Sequence, residues 1–195
     1  MPYPTKEEFA RIVLSRDSEQ IIDEYLFSGL PYAYRSNADD YSTLLTHLET
    51  SLEVDQQHIT VVGSGRIGFS LDPDRFGIPF RESSDIDVVV VSSELFDRVW
   101  IDLLRLSPTR FRGLPWPVRA KLRENIYWGR LWPDQLVGVT PVSLVWFNAF
   151  KGVSRFPRLA QRDVKGRLYR LWDHARLYHS YGLKQISAML QREAR

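Results

Sequence analysis

The chain has 195 residues, 26 Lys and Arg, 24 Asp and Glu, and a formal net charge of +2. Its 44% hydrophobic and 26% charged residues match a globular chain of one domain, or one domain with an appendage, and exclude long disorder, collagen and coiled-coil fibre. The absence of cysteine excludes disulfides, thiolate zinc sites and cysteine nucleophiles. Together with the polar start Met1 to Glu8 and a longest purely apolar run of the length of Val88 to Val91, it leads us to expect a cytoplasmic protein with no membrane span.

Thr5 with Glu8 three residues later is a capping box, which predicts a helix from Thr5 to Leu14. Ser18 to Phe27 reads as a second helix, capped by Ser18 and stopped by Gly29 and Pro31. Tyr41, Leu44, Leu45, Leu48 and Leu52 recur at helical spacing and predict a third over Asp40 to Leu52. The period then changes. Ile59 to Val62 is a β-branched run ending at Gly63, the pattern of a buried strand. Ser64 to Ser84 contains Pro73 and Pro79 and holds no single long helix. Ile86 to Val91 is the strongest strand pattern in the chain, and a helix follows from Ser93 or Glu94 to Leu106.

Beyond it, Arg119 to Trp128 reads as helix and Val137 to Val139 as strand. Thr140-Pro141 caps a helix over Val142 to Phe150. Val164, Leu168, Leu171, Ala175 and Tyr178 form an apolar seam that predicts a helix from Arg162 to Tyr181, broken at Gly182 and followed by a last helix over Leu183 to Gln191. The expected class is α+β: a small mixed sheet flanked by helices, with a core over residues 1–110 and a mainly helical, basic region over 111–195.

The small net charge hides a split. Residues 1–104 hold 8 basic and 19 acidic residues, a net of −11, and residues 105–195 hold 18 and 5, a net of +13. Two readings follow: the basic half meets a polyanion or an acidic partner, or the two halves neutralise each other in one globule.

Two motifs compete for residues 63–87. Gly63-Ser64-Gly65-Arg66-Ile67-Gly68 fits G-x-G-x-x-G after a strand, the pattern of a dinucleotide site. The context argues against it. Prolines fill the place of the crossover helix, and the acids Asp85 and Asp87 stand at the entrance of the second strand instead of its exit. The second reading joins Gly63-Ser64 to Asp85-Ile86-Asp87. Residues i and i+2 of a strand share a face, so Asp85 and Asp87 present two carboxylates together. Two such acids call for a cation between them, and Mg²⁺ (or Mn²⁺) is a hard ion of the kind usually shared with substrate phosphates. Ser64 and the backbone around Gly63 and Gly65 would take phosphates, with Arg66 either on a phosphate or in solvent.

Val61-Val62-Gly63-Ser64 followed by Ser84-Asp85-Ile86-Asp87-Val88 to Val91 resembles the DNA polymerase β-like nucleotidyltransferase superfamily over residues 59–100. The resemblance implies metal binding by Asp85 and Asp87, triphosphate contacts by Gly63 and Ser64, and transfer of a nucleoside monophosphate from an NTP (ATP or GTP) to an acceptor. There are two departures. Twenty residues separate Ser64 from Asp85, about twice the loop of the simplest members, and the insert around Asp72 to Gly77 reads as a flap over a ligand or partner. The third carboxylate such enzymes carry on a later strand is missing from the expected pattern. Asp134 is its nearest substitute. An alternative is therefore a catalytically degenerate module that binds nucleotide or nucleic acid, or regulates a protein partner, as in toxin–antitoxin or phage-defence systems of bacteria.

Lys165 and Arg170 are further candidates for triphosphate contacts. His174 and His179, five residues apart, do not have the spacing of a metal pair. Trp116, Trp128, Trp132, Trp146 and Trp172 read as core residues, with base stacking as the other use.

Overall fold

A computed structural model describes residues 3–106, 108–156 and 162–193. Helix α1 spans Lys6–Ser15 behind the expected capping box: the Glu8 amide donates to Thr5 Oγ1 and the Thr5 amide to Glu8 Oε2. Helix α2, Ser18–Ile21, is capped by Asp17 and not by Ser18, and it widens into a π-helical turn over Ile22–Leu26. Helix α3, Ala38–Leu52, starts from Asn37 and ends at a left-handed Glu53. Strand β1 is Ile59–Val62, helix α4 is the single turn Ser64–Ile67, and strand β2 is Ile86–Val91. Helix α5, Ser93–Arg105, is capped by Ser92.

Helices α6, Pro108–Gly113, and α7, Trp116–Tyr127, lead to the two-residue strand β3, Arg130–Leu131. Helix α8, Pro141–Gly152, has the expected Thr140 cap. Strand β4, Val164–Tyr169, precedes the long helix α9, Trp172–Glu193. The class is α+β with a four-stranded mixed sheet in the order β1-β2-β4-β3. β2 is antiparallel to β1 and parallel to β4, and β3 closes the far edge antiparallel to β4. No helix among the described residues is long and apolar enough to cross a membrane.

Three expectations are corrected. Val137 to Val139 is a turn and not a strand: the Val139 amide donates to Leu136 O, and Gly138 has φ +79°. The helix expected from Arg162 begins only at Trp172, because Val164–Tyr169 is β4. The apolar residues Val164 and Leu168 fit both a helical step of four and a strand step of two. The open edge of β2 decides between them, because a buried strand must satisfy its backbone groups. Gly182 does not break α9, which runs through it to Glu193. Two of the four strands thus come from beyond residue 110, so the sheet is not confined to the N-terminal part.

The register divides the sheet into two faces. Ile59, Val61, Ile86, Val88, Val90, Val164, Gly166, Leu168 and Leu131 point one way. This face packs on Leu44, Leu48 and Leu52 of α3, Phe96, Val99 and Leu103 of α5, and Trp146 and Phe150 of α8. Val88, Val89 and Val90 are fully buried. Each such side chain contributes about 1.5–3 kcal/mol of transfer free energy. The other face carries Val62, Asp87, Val89, Lys165, Arg167, Tyr169 and Arg130. Its apolar end is closed by Ala175, Trp172 and Tyr178 of α9, and its polar end holds the residues singled out by sequence.

Candidate functional site

Gly63 terminates β1 with φ +66° and ψ −146°, a conformation open essentially to glycine alone. The turn brings its Cα against β2: a methyl group placed there would lie 3.6 Å from Asp87 Oδ2. Gly63 and Asp87, 24 positions apart, therefore meet, as the strand pairing Val62 to Asp87 requires. Ser64 opens α4 and is half-buried. Gly65 is buried, and its absent side chain makes room for Val61 Cγ1 and the Phe80 ring.

Arg66 corrects an expectation. It is 2% exposed and neither meets solvent nor is free for a phosphate. Its guanidinium donates to the carbonyls of Tyr25, Ser28 and Gly29, holding the loop after α2. Burial pushes its pKa down, and the carbonyl acceptors offset part of that cost.

Asp85 lies just before β2 and Asp87 within it. Arg162 orders the approach by donating to the carbonyls of Arg81, Glu82 and Ser84. The cations facing the two acids come from β4. Lys165 Nζ donates to Asp85 Oδ2, and Arg167 Nη2 stands 3.3 Å from Asp87 Oδ1. Burial pushes the Asp87 carboxyl up against the opposing pull of Arg167, Asp85 adds to the rise, and Lys165 works against it. The hydrogen bond to Asp85 raises the Lys165 pKa.

Asp85 faces the Lys165 ammonium and Asp87 the Arg167 guanidinium. Among the described residues, no third carboxylate or histidine joins the pair in a metal-sized group. On β4, beside β2, Lys165 and Arg167 turn toward the pair, and Asp163, just before β4, stands level with Asp85 and accepts the Ile86 amide on its carbonyl. Asp134 lies in the short 3₁₀ turn Pro133–Leu136. Arg170, a sequence candidate for phosphate, forms a two-pronged pair with Asp97 (2.9 and 3.2 Å).

Sequence reasoning passed over the group around Trp132. Lys121 Nζ lies 3.8 Å, Arg167 4.8 Å and Arg130 5.6 Å from its ring centre. Arg130 is buried, donates to Asn125 Oδ1 and lies over Tyr178. Of the five tryptophans expected in the core, only Trp146 is fully buried, and Trp116 is 72% exposed. The period-two order Lys165, Arg167, Tyr169 was the available signal, masked by the helical reading of the same segment.

The insert Asp72 to Gly77 is anchored at its apolar side, while Asp72 and Pro73 border the space beside Gly63. Phe69, Leu71 and Phe76 dock it on Phe9, Ile21, Leu183 and Ile186 of the α1, α2 and α9 cluster. Comparison of the chain with protein-family models, curated proteins and solved structures finds no match.

Proposed function

We propose that this chain is a nucleotide-binding module built on a nucleotidyltransferase-like core that holds its ligand without a metal-dependent transfer step. One observation carries the reading: Lys165 and Arg167 of β4 face Asp85 and Asp87, where a catalytic core would need cation-binding space and a third acid. Lys121, Arg130, Lys165 and Arg167 gather on this face, among the acids Asp85, Asp87, Glu124 and Asp163. Two ammonium and two guanidinium groups within one face suit a phosphate chain, and the Gly63-Ser64 turn adjoins Asp87.

Calorimetric titration with ATP and GTP tests the proposal. The expected result is a dissociation constant that agrees within about threefold in Mg²⁺ and in EDTA. Binding that appears only with Mg²⁺ overturns it.

A second reading, Mg²⁺-dependent nucleotidyl transfer, is favoured by the approach of Gly63 to Asp87. It requires Lys165 and Arg167 to leave the acids. Incubation with NTP labelled at the α-phosphate decides between them, since label on any acceptor supports the transferase.

A further inference from the structure

A cavity of about 450 Å³ opens beyond Gly63, on the same side of the sheet as the cations. Its wall includes Gly63, Trp128, Arg130, Tyr178, Tyr181 and Gly182. That size suits a small organic ligand, and the lining sets aromatic and aliphatic side chains beside the polar groups of Asp72, Glu124, Arg130, His179 and Gln185. Trp128 and Tyr181 stand 5.8 Å apart, centre to centre, and Tyr178 meets Trp128 edge to face at 6.2 Å. Glu124 and Gln185 bring a carboxylate and an amide to the same wall. Such groups recognise the donors and acceptors on the edge of a heterocycle. Two residues link the cavity to the site above: Gly63 adjoins Asp87, and Arg130 shares Trp132 with Arg167.

Gly182 supplies an independent observation. It lies inside α9, where glycine costs about 1 kcal/mol relative to alanine. Neither packing nor backbone explains it. Its φ lies outside the left-handed region, and a side chain built there would meet no atom within 4 Å. Gly182 is part of the cavity wall, and its missing side chain leaves that wall bare.

We propose that this cavity receives the base of a bound nucleotide, a planar heterocycle stacked on Trp128 and Tyr181, while the phosphates lie toward Gly63, Arg167 and Lys165. The inference rests on the nucleotide-binding reading above and adds where the base goes. Stacking on an aromatic side chain is sequence-tolerant and strong enough to matter.

The test compares ATP and GTP with inorganic triphosphate, each titrated into the full chain and into Gly182→Leu, whose Cβ would meet no atom within 4 Å and whose bulk would be added at the cavity wall. The wild type is expected to bind at least one nucleotide about 10-fold or more tightly than triphosphate. Gly182→Leu is expected to lose that advantage, keep its triphosphate affinity and melt no lower than the wild type. Tyr181→Ala, on a half-exposed side chain, is expected to weaken the nucleotide alone by about 5-fold or more.

Nucleotide affinity unchanged in both variants overturns the base site and leaves the nucleotide-binding module standing. Equal weakening of nucleotide and triphosphate also overturns it. A wild type that binds neither ligand refutes the underlying reading and the inference with it.

Discussion

His179 lies against the Phe27 and Tyr178 rings in the body of α9, with no hydrogen-bond partner for Nε2 among the described residues. Burial, reinforced by Arg130, pushes its pKa down to about 4. The unfolded chain therefore binds a proton between about pH 6.5 and 4 that the folded chain refuses. Stability is expected to fall as pH falls through that window, by up to roughly 3 kcal/mol. Asp87 works in the opposite direction. Its raised pKa means the folded form takes up its proton first, so acidification lowers the cost of that carboxyl. Thermal melts from pH 7 to 4 on the wild type and on His179→Phe separate the two effects. The variant is expected to show a flatter decline, and an unchanged slope would remove His179 as the cause. At this scale Gly63 and Asp87 were legible in the sequence, because a glycine after a β-branched run and an acid before one declare themselves locally. The role of Arg66 was not, since nothing nearby in sequence announces that its acceptors are the carbonyls of residues 25–29.

Strand β4 shows how an element's neighbours set its conformation. Gly166 sits at its centre, opposite Val88, and a methyl group there would come within 2.4 Å of Trp146 Cζ2 and 2.3 Å of Phe150 Cζ. Gly166→Val is expected to destabilise the fold by about 3 kcal/mol, because two large rings of α8 must move to admit it. Urea denaturation measures the loss, and a change below about 1 kcal/mol would show that α8 yields freely. The capped helices α1 and α8 could be read from sequence because their signals are local: a side chain of the right kind one step before an apolar period. β3 could not, since two residues carry no period at all. The segment of β4 carried two periods at once.

For the whole molecule, the opposed charges of the two halves meet across the fold. Asp23 pairs with Arg176, Asp85 with Lys165, Asp87 with Arg167 and Asp97 with Arg170. Each such pair at the surface contributes only about 0–1 kcal/mol, and four of the 18 basic residues beyond position 104 thereby offset acids of the first half. The same interleaving predicts that residues 1–110 alone do not fold. Without β4, the fully buried Val88 to Val90 of β2 lose their parallel partner and one edge of the ladder. Near-ultraviolet circular dichroism of that fragment is expected to lack the signal of fixed aromatic packing, and a cooperative melt would contradict the prediction.

The sequence by itself determined the caps of α1 and α8, the two apolar strands, and the presence of a glycine turn after one and an acid pair before the other, because capping, β-branching and alternation act over a few neighbouring residues. Only the tertiary structure decided which cations face those acids, what Arg66 holds and that a cavity opens beside Gly63. These depend on which segment fills the edge of β2, and that pairing joins residues some 80 positions apart that no local pattern connects.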